Sequence, residues 1–306
     1  MYLEHFGMNE WPFRLTPDTS FFFEHAGHHD ALNVLLVSLR AGEGFIKIVG
    51  EVGTGKTLLC RKLLNILSED ENFVTIYIPN PYLSPAALRL ALAEELGMNI
   101  PTNYVQHRQL KLITDKLLEL SAAGKQVVVC LDEAQAMPEE TLEALRLLTN
   151  LETEKHKLLQ IVLFGQPELD ELLDRPSVRQ LKQRIVFSHR LAPITSDGML
   201  NYLSHRLLVA GYSGPLLFNK TALSDLHRAS RGVPRLINIL SHKALMVTYG
   251  RGMKVINQDS MRAAINDTED AGGVPGSKFG SSFYSIAAAV TVALGAGLYY
   301  LWGVAH

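Results

Sequence analysis

The segment with the clearest chemical meaning is residues 50–57, Gly-Glu-Val-Gly-Thr-Gly-Lys-Thr, which follow the pattern G-x-x-x-x-G-K-[ST] in full. Glycines at these positions let main-chain N–H groups converge on phosphate oxygens, and a helix beginning there adds donors and a favourable dipole. We expect Lys56 to reach the terminal phosphates and the Thr57 hydroxyl to bind Mg²⁺. The residues expected to contact the nucleotide are Gly50, Glu51, Val52, Gly53, Thr54, Gly55, Lys56, Thr57 and Leu58. The spacing therefore predicts a site for ATP and Mg²⁺.

An acidic pair, Asp132-Glu133, directly follows the apolar run at residues 127–131. An acid at the carboxyl end of a buried strand adjacent to the phosphate-loop strand can bind the Mg²⁺ shell, so Asp132 joins Thr57 as a predicted metal ligand. Glu133 is then placed to polarise the attacking water, which indicates a hydrolase rather than a protein that only binds nucleotide. Alone, such a pair is usually a solvated helix start; together with the phosphate loop it predicts ATP hydrolysis. Residues 132–135 also resemble a helicase box, but we find no accompanying helicase motifs.

Alternating strand and helix signals indicate how these motifs are positioned. Apolar runs predict strands at 45–49, 73–78, 127–131, 158–164 and 185–187, and helical spacing predicts helices at 30–40, 85–96, 110–120 and 141–151. Unbroken apolar strands joined by helical crossovers indicate a parallel sheet covered on both faces. Later in the chain only helices are predicted, at 199–210, 219–229, 233–248 and 258–265. The predicted fold class is therefore α/β followed by a small all-helical domain.

The chain divides into five predicted parts, the last of which is a membrane segment. They are a strap rich in aromatic residues (1–29), an α/β nucleotide-binding domain (30–193), a helical lid (194–267), a linker (268–282) and an apolar segment (283–304). The apolar segment has no charge and, at about 1.5 Å per residue, is long enough to cross the ~30 Å hydrocarbon core. It predicts one transmembrane helix in contact with lipid, the alternative being a buried core helix. Because the N-terminus lacks the pattern of a secretory signal, the folded part is expected in the cytoplasm.

Composition narrows the choice of partners. The 306 residues carry a formal net charge of −2, which gives no electrostatic reason to expect nucleic acid. The two cysteines, Cys60 and Cys130, fall in predicted buried elements at a spacing that suggests neither metal binding nor redox chemistry. His25, His28 and His29 fit no common zinc site, and we expect them to pack beside the adenine pocket.

Several motifs together resemble a known family. The two nucleotide motifs, with residues 165–169 and 232–235, resemble the AAA+ ATPases. More narrowly, the segments Phe6-Gly7, Pro12-Phe13, Pro17-Asp18 and His29-Asp30-Ala31-Leu32, with the phosphate loop, resemble the ExeA/GspA family of secretion ATPases. The likeness covers roughly residues 1–267 and is greatest to the family's members in MSHA-type (mannose-sensitive haemagglutinin) pilus biogenesis. It implies a P-loop AAA+ sheet with a helical lid, in a single-pass inner-membrane ATPase that supports assembly of a type IV pilus or type II secretion machinery.

The resemblance also implies roles for two residues near the terminal phosphate. Gln166, after the predicted strand 158–164, would be the sensor that couples the γ-phosphate to Glu133, although AAA+ proteins more often have Asn or Thr there. Arg235 would be the lid arginine that contacts the γ-phosphate. The alternative is that residues 234–235 only start a lid helix.

A further role, an arginine finger acting on a neighbouring subunit, is implied just before the last strand. Arg184 fits this position best and Arg179 is second, although both could instead be surface ion-pair residues. A finger that acts in trans requires an oligomer, so a homo-oligomer is expected along with inner-membrane partners of the pilus or secretion machinery.

Two other functions stay open from the sequence. One is a nucleotide-dependent DNA-binding regulator related to transposition ATPases, which the predicted membrane helix disfavours because such regulators are soluble. The other is a nucleotide switch or scaffold with negligible hydrolysis. Slow turnover that persists with every partner would favour the switch.

Overall fold

Five parallel strands form the central sheet in the part of the chain that the computed structural model describes, residues 2–23, 25–152 and 157–271. They are β1 (Phe45–Gly50), β2 (Phe73–Ile78), β3 (Gln126–Leu131), β4 (Leu159–Gly165) and β5 (Phe187–Leu191). Their order is β2-β3-β4-β1-β5, and every neighbouring pair is parallel. The parallel α/β sheet predicted from the apolar runs is confirmed.

Twelve α-helices lie in the described residues. They are α1 (Tyr2–Phe6), α2 (Ala26–Arg40), α3 (Lys56–Ser68), α4 (Pro85–Glu95), α5 (Gln106–Ala122), α6 (Glu139–Leu148), α7 (Glu168–Leu173), α8 (Arg179–Lys182), α9 (Ser196–Val209), α10 (Lys220–Ser230), α11 (Pro234–Gly250) and α12 (Gln258–Asn266). Side-chain caps fix several of the starts: Ser84 accepts from Ala87 N ahead of α4, and Asn219 accepts from Ala222 N ahead of α10.

The two faces of the sheet are covered by different helices. Phe45 and Val49 of β1 face a core that includes residues of α4, α5 and α6. Ile46 and Ile48, which alternate with them, face a second core built with α2 and α3. Burial on both faces explains why β1 has no polar alternation except at Lys47, whose ammonium pairs with Asp170.

The order of the strands corrects one expectation from the sequence. Asp132 follows β3, and we expected β3 to lie next to the phosphate-loop strand β1. Instead β4 lies between them, paired with both. Apolar runs show that a strand is buried but do not show which neighbour it takes, because that depends on where each crossover helix packs. The carboxyl ends of β1, β3 and β4 still share one edge, so the predicted site residues remain close together.

The last strand lies further along the chain than predicted. We expected residues 185–187, whereas β5 spans Phe187–Leu191. Because β5 is at the edge of the sheet, its residues are mostly exposed and three of them are polar, Ser188, His189 and Arg190. The apolar run at residues 185–187 therefore covers only the segment that leads into β5. In that segment Val186 N already donates to Phe45 O at 2.9 Å.

The lid helices α9–α12 share their core with the beginning of the chain. Tyr2, Phe6, Met8 and Phe13 are all buried in this core. Tyr2 places its hydroxyl 2.9 Å from Nδ1 of His242 in α11. Most of the aromatic residues predicted to form a strap on a larger domain are thus structural parts of the lid core.

No helix within the described ranges is both long and apolar enough to span a bilayer. The predicted transmembrane helix at 283–304 lies outside those ranges. The same is true of most of the predicted linker, residues 268–282, of which only residues 268–271 are described.

Candidate nucleotide-binding site

The phosphate loop between β1 and α3 adopts a conformation that requires glycine at two positions. Gly53 and Gly55 have φ angles of 82° and 95°, in the left-handed region where a Cβ is unfavourable. Space is also limiting, since a Cβ on Gly53 would lie 2.6 Å from Cβ of Arg235 and one on Gly55 2.9 Å from Nε2 of His28. The loop is therefore closely packed against the first turn of α11 at Gly53 and against α2 at Gly55.

Lys56 is held at this cradle with its ammonium buried. The residue is 5 % exposed, and its Nζ donates to the carbonyls of Gly50 at 2.7 Å and Glu51 at 3.0 Å. Burial lowers the pKa of Lys56, although the nearby carboxylates of Glu133 and Asp132 act in the opposite direction. A buried ammonium that bonds only neutral carbonyls is suited to pair with phosphate oxygens.

Thr57 and Asp132 meet in the position expected of two Mg²⁺ ligands. The Thr57 hydroxyl donates to Oδ2 of Asp132 at 2.6 Å, and Asp132 is 2 % exposed. Burial raises the pKa of Asp132, an effect that the hydrogen bond from Thr57 opposes. Two hard oxygen donors fit Mg²⁺, which takes its other ligands from phosphate and water. The described residues contain no cluster of three or more His, Cys, Asp or Glu that could hold a metal ion.

Glu133 is fixed by two glutamine amides. Its Oε2 accepts from Nε2 of Gln135 at 2.6 Å and from Nε2 of Gln166 at 3.1 Å, while Oε1 of Gln135 accepts from the Gln166 main-chain N–H at 3.0 Å. Burial acts to raise the pKa of Glu133, but these hydrogen bonds and Lys56 outweigh it and lower the pKa overall. Glu133 is also left-handed, with φ of 53°, a strained conformation typical of functional positions. The carboxylate is therefore ionised and oriented.

A cavity of about 320 Å³ lies between the phosphate loop, the lid and the strap. Its size is at the lower end of the range for small-molecule sites. Its lining includes the phosphate-loop residues Val52, Gly53, Gly55, Lys56, Thr57 and Leu58, the lid residues Tyr202, Arg206, Arg235 and Asn238, and Glu133, Gln166 and strap residues 14–18. A cavity bounded by phosphate-binding groups on one side and by apolar and aromatic groups on another fits a nucleotide.

The lid contributes residues to this cavity that the sequence did not indicate. Arg206 is buried, and its Nε and Nη2 donate to the carbonyls of Pro12 at 2.5 Å and Arg14 at 3.3 Å. Arg61 of α3 donates to the carbonyl of Pro17 at 2.9 Å on the other side. The strap is thus anchored to both the lid and the phosphate-loop helix. Gln135 was also missed as a site residue, although its place two residues after Glu133 offered a signal.

The arginines expected to act on the γ-phosphate occupy different environments. Arg235 lines the cavity with an exposed side chain, and its main-chain N–H donates to Gly53 O at 3.2 Å. Arg184 is half-buried and donates to Oγ1 of Thr149 at 2.7 Å, whereas Arg179 is exposed. Among the described residues that line the cavity, neither Arg184 nor Arg179 is found, so any action of theirs on a nucleotide would be on another subunit.

None of the three histidines is among the described residues that line the cavity. His28 is buried and packs against Gly55, and its Nδ1 is hydrogen-bonded to Nε2 of His25. His29 is exposed beside Asn33. Of the three, His28 thus contacts the phosphate loop, and their packing beside the adenine stays a prediction.

Comparison with known proteins agrees with this geometry. A family model described as "AAA domain" matches residues 39–173. General secretion pathway protein A of Aeromonas hydrophila is 42% identical over 265 residues, which cover 86% of this chain and 48% of that protein. The chain thus spans about half the length of this relative.

Solved structures share the architecture at low sequence identity. Cdc6p from Pyrobaculum aerophilum has a TM-score of 0.62 and 19% identity, covering 82% of this chain and 70% of that one. The ORC2 protein of Aeropyrum pernix in ADPNP–ADP complexes has a TM-score of 0.60 and 16% identity, covering 82% and 71%. These likenesses show the fold alone. The 42% identity to the secretion protein across 86% of this chain, together with the AAA domain, supports its place in the ExeA/GspA family of AAA+ ATPases.

Proposed function

We propose that the chain binds ATP with Mg²⁺ in the 320 Å³ cavity and hydrolyses it, with Glu133 as the general base. The observation that carries the proposal is the orientation of an ionised Glu133 by the amides of Gln135 and Gln166 at the edge of this cavity. A protein that only binds nucleotide has no need of a strained, oriented carboxylate beside the phosphate loop.

Each residue then has a defined role. Main-chain N–H groups of the phosphate loop and Lys56 hold the phosphates, and Thr57 with Asp132 would hold Mg²⁺. Bound Mg²⁺ would supply positive charge beside the phosphate oxygens. Glu133 takes a proton from water, Gln166 links that carboxylate to the terminal phosphate, and Arg235 reaches the same phosphate from the lid.

The cellular role that we propose is support of envelope assembly at the inner membrane. The apolar segment 283–304 would anchor the chain in lipid as a single-pass helix, with the ATPase domain in the cytoplasm. Hydrolysis would move the lid relative to the sheet, and inner-membrane partners in a homo-oligomeric assembly would receive that motion. The relative named for general secretion supports type II secretion machinery as the target, and the sequence motifs support an MSHA-like type IV pilus.

The test uses the full chain purified in detergent, with phosphate release measured in Mg-ATP. Glu133→Gln is expected to bind nucleotide normally and lose roughly 10²–10⁴-fold in turnover, the usual contribution of a general base. Glu95→Gln, at an exposed position at the end of α4, is the matched control and should turn over like the unaltered protein. Turnover that Glu133→Gln leaves unchanged would refute the assignment. Binding without turnover in the unaltered chain, alone and with membranes, would favour a nucleotide switch instead.

A further inference from the structure

Asn238 in the lid borders the nucleotide cavity with half of its side-chain amide unpaired. The residue lies on α11, is 6 % exposed and is among those that line the cavity. Its Oδ1 accepts a hydrogen bond from the Tyr202 hydroxyl at 2.8 Å. In the described part of the chain, no group accepts a hydrogen bond from its Nδ2. The mechanism proposed above gives this amide no role.

The unpaired Nδ2 is open to the cavity and is not enclosed in the lid core. Among the described residues, the side-chain atoms that are both enclosed and without a partner are Gln160 Oε1, His205 Nδ1 and Ser241 Oγ. Nδ2 of Asn238 is not one of them, so it has open space beside it, and the open space that Asn238 lines is the cavity. An amide NH₂ at a largely buried position is unfavourable until a partner fills that space.

The orientation of the amide follows from the groups behind it. Arg206 can only donate, and its Nη1 donates to the Tyr202 hydroxyl at 3.3 Å. This hydroxyl is buried and donates its own proton to Asn238 Oδ1. If the amide were reversed, the hydroxyl would face two donors, and its own proton would have no acceptor among the described residues. The chain of hydrogen bonds therefore turns a donor, Nδ2, toward the cavity.

The place of Asn238 on α11 indicates which half of a nucleotide it meets. Arg235, in the first turn of this helix, is bonded to the phosphate loop through the Gly53 carbonyl. Asn238 follows three residues later, about 4.5 Å further along the helix axis. On its other side, Tyr202 leads through Arg206 to carbonyl groups of the strap. A ligand with its phosphates in the loop would therefore present its ribose and base to this part of the cavity.

We propose that Asn238 is a binding residue that donates from Nδ2 to an acceptor in the nucleoside half of the ligand. Tyr202 and Arg206 are positioning residues that hold the amide in the orientation this requires. The inference rests on the proposed nucleotide function of the site. The accepting group is a ring nitrogen of the base or a hydroxyl oxygen of the ribose, since both accept from an amide NH₂. In either case the nucleoside bonds the lid directly, so that the lid responds to the nucleoside as well as to the phosphates.

A set of nucleotide analogues tests the proposed bond atom by atom. Affinity of the full chain, purified in detergent, is measured by calorimetry for ADP in Mg²⁺. It is then measured for analogues of ADP that each lack one acceptor, with N1, N3 or N7 of the base replaced by C–H, or the 2′- or 3′-hydroxyl of the ribose replaced by hydrogen. The variants are Asn238→Ala, Tyr202→Phe and the matched control Asn201→Ala, which changes an exposed asparagine of α9.

Asn238→Ala should bind ADP about tenfold more weakly than the unaltered chain, the loss of roughly one net hydrogen bond. The analogue that lacks the accepting atom should bind both proteins with equal affinity, because the bond is absent from both, and it thereby identifies the base or the ribose as the acceptor. Tyr202→Phe keeps the Asn238 amide but frees it to turn, so it should weaken ADP binding several-fold. Asn201→Ala should bind normally.

Two results would overturn the inference while the nucleotide function stands. Normal ADP binding by Asn238→Ala would mean that Nδ2 makes no bond to the ligand. Weakening of ADP and of every analogue by the same factor would mean that Asn238 acts only through the fold of the lid or through water. Lys56→Ala serves as the reference for the phosphate loop: if the unaltered chain binds ADP no better than this variant, the nucleotide function itself is wrong and the inference falls with it.

Discussion

The main-chain N–H of Arg235 donates to the carbonyl of Gly53 at 3.2 Å, which joins the first turn of α11 to the phosphate loop. Cβ of Arg235 also lies 2.6 Å from the position that a Cβ on Gly53 would take. The lid therefore contacts the loop through backbone, at the edge of the cavity that both of them line. Any movement of the lid must either break this hydrogen bond or move the loop with it.

Gly53→Ala tests this contact. We expect at least a tenfold loss of nucleotide affinity, because the added Cβ would lie 2.6 Å from Arg235 Cβ and push the lid from the loop. Gly97→Ala is a matched control, since Gly97 has a similar φ of 74° but open space around its Cβ. Both changes place alanine in the left-handed region at about 1–2 kcal/mol, so the difference in Kd, measured by nucleotide titration, reports the contact. Equal affinities in the two variants would contradict it.

Gln135→Ala should lower kcat by roughly 10–100-fold, the range for losing one hydrogen bond to a charged group. The amide of Gln135 donates to Glu133 at 2.6 Å and also accepts from the Gln166 main chain, so its removal takes away one of the two amides that orient the carboxylate. KM should change little, because Gln135 is not among the residues that line the cavity. Steady-state ATPase assays compare it with Gln106→Ala, an exposed position at the start of α5. A raised KM at normal kcat would show that Gln135 acts in binding.

Arg206→Met should destabilise the fold by about 2 kcal/mol, since the carbonyls of Pro12 and Arg14 lose a charged donor. For a protein of this size that corresponds to a fall in Tm of about 3 °C. Arg61→Met removes a similar bond, to the carbonyl of Pro17, but at an exposed position where water replaces it, so Tm should hardly change. Thermal unfolding of the two variants gives the comparison, and equal shifts would mean that burial does not decide the cost.

Stability should fall as the pH drops below about 6.5. The pKa of His28 is about 3 in the folded protein, mainly because of burial, against 6.5 for a histidine in the unfolded chain. Between these two pH values the unfolded chain binds the proton more readily than the folded protein does. The free energy that the neutral ring contributes to folding is therefore fully present above pH 6.5 and is lost as the pH falls toward 3. The slope from one such group approaches about 1.4 kcal/mol per pH unit. Denaturant unfolding at pH 7 and 5 should show a smaller loss for His28→Gln than for the unaltered chain; equal losses would contradict this.

Arg184→Ala should reduce turnover by up to roughly 10³-fold if it supplies charge to a neighbour's nucleotide. Its present bond to Thr149 Oγ1 would then have to exchange for phosphate oxygens on assembly. Mixing Arg184→Ala with Glu133→Gln protein should restore part of the activity, because each subunit lacks only what the other retains. Arg179→Ala is the second choice and is run in parallel. Full activity of both variants would show that neither Arg184 nor Arg179 is the arginine finger.

The sequence was sufficient for features whose cause is local. The phosphate loop follows from glycine spacing, and the helices of the lid follow from apolar periodicity and end signals such as Pro234 at the start of α11. It was insufficient where distant segments meet. The place of β4 between β1 and β3, and the support of the strap by Arg206, depend on packing across the chain and leave no local pattern.

The burial of the first residues in the lid core has a consequence for synthesis on the ribosome. Tyr2 and His242 are 240 positions apart in sequence, so Tyr2 must wait for α11 to be made before it can pack. Until then Phe6, Trp11 and Phe13 are solvent-exposed apolar groups on the nascent chain and a natural target for chaperones. The lid residues and residues 14–18 line the cavity together, so the nucleotide site is completed only after the lid helices have been made.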